Sequence, residues 1–292
     1  MASRCCRLAS KYCRIAGVAL SGETEEDGEV IEREDREYNI EQIGVAVLIL
    51  AVDTTTRAGS LAVVRDGSVL REHRGDETRT HAQRLPGEVV RLCEAAAITI
   101  RDVDLYAVAA GPGSFTGLRI GIAAVQGLAM AWSRPVVPVS TLEALALSAT
   151  RDLPAKAASH GENLAAASRV AVWMDAQRGQ VFAQVFDVDA SVGAARPLTP
   201  AISVPPTDAL RTHESLLGGA FFVGDGAVKY RDTIAGLMGG TTRIAADVPP
   251  LAGAIALLAG REPARAVLPH AVVPIYVRRS DAELARERSV AP

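Results

Sequence analysis

The sequence has few of the residues that build disulfide frameworks, metal sites and membrane spans. After residue 46, Cys93 is the only cysteine, so an intrachain disulfide framework is excluded there and a reducing compartment is the simpler interpretation. The five histidines are far apart, and no pair has the spacing of a metal-binding helix. No apolar run is long enough to span a membrane.

The chain also has no excess of basic residues. Residues 1–46 contain ten acidic and six basic residues, and the rest of the chain contains 24 acidic and 25 basic residues. A body so close to neutral does not favour a protein that binds nucleic acid alone through a basic surface. With 49% hydrophobic residues in 292, the chain can bury a sizeable core and is expected to form two lobes.

The first 46 residues differ from everything after them. Four basic residues precede the first acid, Glu23, which superficially resembles an organelle transit peptide, and an acidic run follows. The alternative is that translation begins near Val45 or Val47. We favour this second interpretation and expect residues 1–46 to be disordered in either case.

The most informative stretch runs from Leu105 to Trp132. An apolar strand at 106–110 leads into the turn 111–113, and helical spacing follows, with Ser114 or Thr116 as N-cap. The turn lacks the lysine of a P-loop and the glycines of a hydrolase nucleophile elbow. Two interpretations stay open: backbone amides that face an anion, or a tight turn between strand and helix.

The first lobe is predicted to open with a strand at 47–52 that ends in Asp53 and a hydroxyl-rich turn. A hairpin follows, with arms at 60–64 and 68–72. This order is similar to the opening of actin, hexokinase and Hsp70 nucleotide-binding lobes. Weak candidates for nucleotide contacts are therefore Asp53, Thr54, Gly111, Gly113 and Ser114.

An internal echo predicts the second lobe. Residues 170–175 and 179–183 repeat the strand, aspartate and hairpin of the first lobe. The predicted fold is α/β, with two related lobes of the actin/hexokinase/Hsp70 type, each a mixed sheet with an opening hairpin and flanking helices. We assign 47–152 to the first lobe and 153–261 to the second, with a linker at 150–168. Residues 262–292 are expected to return to the first lobe, with a strand near 274–279 across the boundary.

Residues 80–96 predict a helix that begins with a capping box, Thr80 to Gln83. Pro86 fits this helix badly, so the helix is expected to begin later or to bend there. His81 stands alone at the helix start. We interpret it as a surface or capping residue in preference to a ligand or base.

Six short motifs in order resemble the bacterial TsaB family, over roughly residues 48–279. The motifs are ILAVDT at 49–54, HAQR at 81–84, GPGSFTGLRIG at 111–121, VSTLE at 139–143, DAQRG at 175–179 and P-x-Y-x-R at 274–278. The resemblance implies a subunit of the machinery that makes N6-threonylcarbamoyladenosine in tRNA, at the adenosine beside the anticodon in tRNAs that read codons beginning with A.

The related catalytic subunit, TsaD, holds a metal with two histidines four residues apart. Thr141 and Leu145 occupy those places here, and leucine cannot bind a metal. The resemblance therefore implies a non-catalytic scaffold that needs no cofactor itself, with ATP and metal on partner subunits. The implied partners are TsaD, TsaE, a second copy when TsaD is absent, and tRNA only through the assembled complex, in the cytoplasm.

Two helices of the first lobe are expected to form the interface with TsaD. Their small residues would let another helix approach, and larger apolar side chains would flank them. A bulky residue at Gly121 is then expected to abolish the heterodimer and leave the fold intact; packing within the lobe is the alternative. The predicted contact residues are Leu85, Val89, Leu92, Gly117, Gly121, Ala124 and Leu128.

Three other functions remain open. A small-molecule kinase of the same architecture would use Asp53 as base or metal partner, although the turn after it lacks a usual phosphate clamp. A metallopeptidase is disfavoured because the histidine pair is missing. A self-associating binding protein outside tRNA modification is the third.

Overall fold

Two mixed sheets with matching strand orders form the frame of the molecule. The computed structural model describes residues 47–158, 168–189, 193–239 and 242–278, and all structural statements concern these residues. The first sheet contains β1 (Leu48–Asp53), β2 (Ser60–Arg65), β3 (Ser68–Arg74), β4 (Leu105–Gly111) and β5 (Val136–Ser140), in the order β3-β2-β1-β4-β5.

The second sheet repeats this plan. It contains β6 (Ser168–Asp175), β7 (Val181–Asp189), β8 (Ala194–Pro197), β9 (Ile202–Val204), β10 (Phe221–Val223) and β11 (Arg243–Ile244). The order is β11-β10-β6-β7-β8, and β9 also pairs with β7. In each sheet an antiparallel hairpin comes first, β1–β2 or β6–β7, and a parallel strand, β4 or β10, then joins the hairpin's first strand. The predicted hairpins and the predicted internal echo are confirmed.

Helices cover both faces of each sheet. They are α1 (His81–Ala95), α2 (Phe115–Ala131), α3 (Thr141–Ala158), α4 (Pro206–Leu217), α5 (Asp225–Lys229), α6 (Arg231–Met238) and α7 (Ala252–Arg261). Single 3₁₀ turns lie at Ile100–Asp102, Pro263–Arg265 and Pro269–Ala271. None of the described helices is long and apolar enough to cross a membrane.

The described core has a layered arrangement. One cluster joins both sheets through α3 and α7, which lie between them. A second cluster joins the outer face of the first sheet to α1 and α2, and a third joins the outer face of the second sheet to α4, α5 and α6. Because both faces of β1 are covered, its residues are apolar without interruption up to Asp53. The α/β fold with two related sheets is confirmed.

Some details of the predicted organisation change. The predicted linker at 150–168 begins too early, because α3 continues to Ala158. Residues 274–278 cross toward the second half as irregular chain, so the predicted strand there is wrong. The lobe boundaries stay a prediction: the described residues belong to one compact unit, and α7 packs on β1 and β2. The expectation for 1–46 lies outside the described residues.

Candidate functional site

The turns after β1, β4, β6 and β10 lie at the carboxyl ends of the central strands of the two sheets. The charge of Asp225 acts on Asp53, so the turns of the two halves lie near one another. In open α/β sheets ligands bind beyond such strand ends. We use the name crevice for the space bordered by residues 53–56, 111–114, 175–179 and 224–226.

Asp53 organises the first of these turns. Its carboxylate accepts hydrogen bonds from the Thr55 amide at 2.8 Å and the Thr55 hydroxyl at 2.6 Å. Only 2% of Asp53 is exposed. Burial raises the pKa of the Asp53 carboxyl, and the two hydrogen bonds from Thr55 oppose that rise. The carboxylate therefore holds the turn.

The turn after β1 packs against the small residues of α2. The Thr54 hydroxyl donates to the Gly117 carbonyl at 2.8 Å, and a side chain at Gly117 or Gly121 would overlap with Thr54. The expectation that a bulky residue at Gly121 leaves the fold intact is wrong for this reason. These glycines serve packing within the chain, which was the alternative given above.

The polar groups at the start of α2 also form hydrogen bonds within the chain. Ser114 is the N-cap, and its hydroxyl accepts from the Gly117 amide at 3.2 Å. The Ser114 amide donates to the Thr55 carbonyl at 3.0 Å, and a Cβ at Gly113 would lie 2.6 Å from that of Thr55. These contacts favour the tight-turn interpretation. The nucleotide role of Asp53, Thr54, Gly111, Gly113 and Ser114 stays a prediction.

Two further carboxylates border the crevice from the second half. Asp225 accepts from the amides of Asp175 at 3.0 Å and Gly226 at 2.9 Å, and burial raises its pKa. Asp175 pairs with Lys229 at 2.8 Å, and this hydrogen bond raises the pKa of the lysine. Both carboxylates are therefore engaged in fixing the β6 and β10 turns. Within the described part of the chain, no three acidic, histidine or cysteine side chains form a metal-binding group.

A buried polar network joins α1 to the turn after β1. The Arg84 guanidinium donates to Glu88 at 2.6 Å, to His81 Nδ1 at 2.8 Å and to the Ala58 carbonyl, and both Arg84 and Glu88 are buried. His81 Nε2 lies 3.0 Å from the Thr56 carbonyl. A carbonyl can only accept and a guanidinium can only donate, so this arrangement requires the hydrogen on Nε2 and a bare Nδ1, which is a neutral His81 ring.

The surface interpretation of His81 is corrected by this network, because the ring links the helix to the turn. Sequence reasoning missed Arg84, Glu88 and Thr55. The first two carried a signal, since opposite charges four residues apart stand on the apolar face of α1. The predicted capping box is present, with the Thr80 amide donating to Gln83 Oε1 at 3.2 Å.

The two positions where the resemblance to TsaD predicts lost metal ligands lie inside the molecule. Thr141 and Leu145 are both buried on α3, and the Thr141 hydroxyl has no hydrogen-bond partner among the described residues. A threonine hydroxyl and a leucine four residues later form a poor donor set for a metal ion.

The predicted contact residues on α1 and α2 divide into two groups. Leu85, Val89 and Leu92 are buried, as are Gly117 and Gly121, so a partner cannot reach them. That part of the predicted set is corrected. Ala124 and Leu128 are half-buried and reach the outer side of α2. Docking by the two helices stays a prediction.

A cavity of about 460 Å³ lies apart from the turns of the crevice, and its lining includes the start of α3 and the end of α7. Arg265 lines it and pairs with Glu143 at 3.3 Å and Glu262 at 3.5 Å. These pairs neutralise Arg265 within the chain, and Arg196 and Arg261 also line the cavity.

Comparison with known families and curated proteins gives consistent matches. The family model described as TsaD, tRNA N6-adenosine threonylcarbamoyltransferase, matches residues 75–202. The tRNA threonylcarbamoyladenosine biosynthesis protein TsaB of Escherichia coli (strain K12) is 38% identical over 46% of this chain and 52% of that protein. The TsaB protein of Bacillus subtilis (strain 168) is 28% identical over 80% of this chain and 96% of that protein. The chain thus aligns with about half of the first relative and nearly all of the second.

Solved structures extend the match over the whole fold. An uncharacterized protein with similarity to peptidase YEAZ from Pseudomonas aeruginosa is 30% identical, with a TM-score of 0.62 over 80% of this chain and 100% of that one. YeaZ from Pseudomonas aeruginosa is also 30% identical, with a TM-score of 0.62 over 79% of this chain and 99% of that one. Together with the strand order and the motifs around the crevice, these matches show that the chain belongs to the TsaB family.

Proposed function

We propose that this protein is a non-catalytic scaffold subunit in the synthesis of N6-threonylcarbamoyladenosine in tRNA, and that it docks a TsaD-type subunit with the outer face of α1 and α2. The pathway is supported by membership of the TsaB family. The docking face is supported by the distribution of apolar residues on α2, which is the observation that carries the proposal.

The outer side of α2 is apolar although it faces solvent. A surface helix usually carries charged or polar residues on its outer side, and a helix that is apolar all round is usually covered. From Ile120 to Ala131 the helix has no charged residue. The exposed or half-exposed residues in this run are Ile120, Ala123, Ala124, Gln126, Gly127, Leu128, Met130 and Ala131.

The neighbouring helix α1 continues the face. Pro86, Gly87 and Val90 are exposed there at helical spacing, and α1 packs directly on α2. Space is open beside Gly127, where a side chain would meet no atom within 4 Å. Small residues with open space let a partner helix approach closely. We propose that the same face pairs two copies when the TsaD-type partner is absent.

The crevice supports a scaffold in preference to a catalyst. Asp53 is buried against Thr55, and the first turn and the start of α2 hold each other. A kinase that uses Asp53 as base is not favoured, because the carboxylate is buried and bonded to Thr55. We propose that ATP turnover and the metal belong to partner subunits of the TsaD and TsaE type, that tRNA binds only the assembled complex, and that the complex works in the cytoplasm.

The substitution Gly127→Arg tests the docking face. Arginine has a higher helix propensity than glycine, so the fold is expected to persist. A charge placed inside an apolar interface should weaken the complex with the TsaD-type subunit at least about 100-fold, or ~3 kcal/mol. The matched control is Gly236→Arg, because Gly236 is also an exposed helical glycine with open space, on α6 of the second half.

Two measurements separate the parts of the proposal. Size-exclusion chromatography with light scattering reports the heterodimer, and mass spectrometry of tRNA nucleosides reports function in a host depleted of its own gene. The control variant should pair and restore the modified nucleoside, and Gly127→Arg should do neither. If Gly127→Arg still pairs, the docking face is wrong. If the unaltered protein does not restore the nucleoside, the proposed pathway role is wrong.

A further inference from the structure

The chain segment 274–278, here called the strap, crosses the crevice from one half of the molecule to the other. The Ile275 amide donates to the Ala110 carbonyl at 2.7 Å, at the end of β4. Three residues later, Arg278 Nη1 donates to the Ala176 carbonyl at 2.8 Å, in the turn after β6. A short segment is thus bonded to a strand end of each sheet.

Aromatic contacts hold the middle of the strap. The Tyr276 ring stacks on Phe115 with centroids 5.8 Å apart, and Arg119 Nε donates to the Tyr276 hydroxyl at 3.4 Å. The Arg119 guanidinium also lies 4.0 Å from the centroid of Phe115. Stacked rings and a cation over a ring face both stabilise the arrangement. The strap is therefore fixed to the first turn of α2 as well as to β4.

Gly111 shows that the crevice is shaped for this segment. Its φ of +119° is a conformation that other residues rarely adopt, and a Cβ there would lie 2.5 Å from the Ile275 carbonyl oxygen. The glycine therefore lets the backbone of the strap approach the end of β4 closely. In related sheet arrangements, this edge is where a ligand approaches backbone.

We propose that the strap is a latch, which ties the end of β4 to the turn after β6 and closes the crevice to a nucleotide. Ile275 and Arg278 hold the two halves together by contacts from within the chain. This inference does not depend on the proposed role in tRNA modification, since it concerns how the isolated molecule stays closed.

The test uses hydrogen exchange of the full chain, read by mass spectrometry at the Ile275 amide. In the variant Arg278→Ala the second anchor is lost. If both anchors act as one latch, the Ile275 amide should exchange at least tenfold faster, although its own bond to Ala110 is untouched. The matched control is Arg231→Ala, which removes another arginine bond to a backbone carbonyl, that of Ala245 at 2.7 Å.

Two results would overturn the latch. The first is unchanged exchange at Ile275 in Arg278→Ala, or acceleration equal to that in Arg231→Ala, because the anchors would then be independent. The second comes from adding 1 mM magnesium ATP, a concentration on the order of the upper end of typical substrate affinities. Protection of the turns at 53–56 and 175–179 in the unaltered chain would show that a nucleotide still enters. The expected result is no protection.

Discussion

At the scale of single residues, the contact of Thr54 with the glycines of α2 determines which part of this helix is covered within the chain. The Thr54 hydroxyl reaches the Gly117 carbonyl, and its side chain fills the space above Gly121. The turn after β1 and the first turns of α2 are thereby locked together. A Cβ at Gly121 has no room, whereas one at Gly127 points into open space.

Two alanine substitutions in α2 should therefore have opposite signs. Gly121→Ala is expected to lower the free energy of unfolding by about 1–3 kcal/mol, because the added methyl overlaps with Thr54. Gly127→Ala is expected to raise it by about 0.5–1 kcal/mol, as alanine does in an unobstructed helix. Urea unfolding of each purified variant measures both values. Equal shifts in the two variants would contradict the packing described here.

The sequence predicts features that depend on neighbours along the chain and misassigns those that depend on distant contacts. The hairpins, the capping box of α1 and the repeat of β1 in β6 follow from local turn chemistry and alternation, and all are confirmed. The stripe of Gly117 and Gly121 is a surface of close approach, but the segment that approaches it is the turn at Thr54 and not a partner helix. Periodicity shows that such a stripe exists, but the residue that covers it, Thr54, is distant in sequence.

At the scale of elements, α1 is joined to the β1–β2 turn through His81. Burial is the main cause that lowers the pKa of His81, and the neighbouring Arg84 lowers it further. The hydrogen bond to Thr56 and the charge of Glu88 oppose this shift. Pro86 is tolerated in the helix because it is exposed, as is Ala82, so water can satisfy the carbonyl that lacks an amide partner.

The junction should weaken in mild acid. The unfolded chain binds a proton at His81 near its ordinary pKa of 6.5, and the folded chain binds it only at lower pH. The stabilisation is therefore fully present above pH 6.5 and decreases as the pH falls from there toward the folded pKa. In His81→Gln, the amide can donate to Thr56 and accept from Arg84 without titrating.

Urea midpoints at pH 7.5 and 5.5 measure this effect. The loss of stability between the two pH values should be smaller in His81→Gln than in the unaltered protein. The comparison of the two proteins cancels the titration of other groups, including the buried His213, whose pKa burial also lowers. An identical loss in both proteins would mean that His81 titrates alike in the folded and unfolded chains.

At the scale of the whole molecule, the nearly neutral charge limits how tightly the isolated protein binds RNA. The residues after 46 contain 24 acids and 25 bases, so few counterions are released on contact with RNA. The isolated chain is expected to bind tRNA more weakly than about 10⁻⁴ M at ~150 mM salt. Fluorescence anisotropy of labelled tRNA, with and without a TsaD-type subunit, measures this difference. Micromolar binding by the isolated chain would contradict the proposal that partners supply most RNA contacts.

The helices between the two sheets have a consequence for how the molecule folds. A single apolar cluster includes residues from β1, β4, β6 and β7 together with α3 and α7. If either sheet unravelled, the apolar sides of α3 and α7 would be left in water, and the surviving half would lose much of its own interior. We therefore expect the duplicated halves to unfold together, as one unit. A half-length fragment is not expected to hold its native shape.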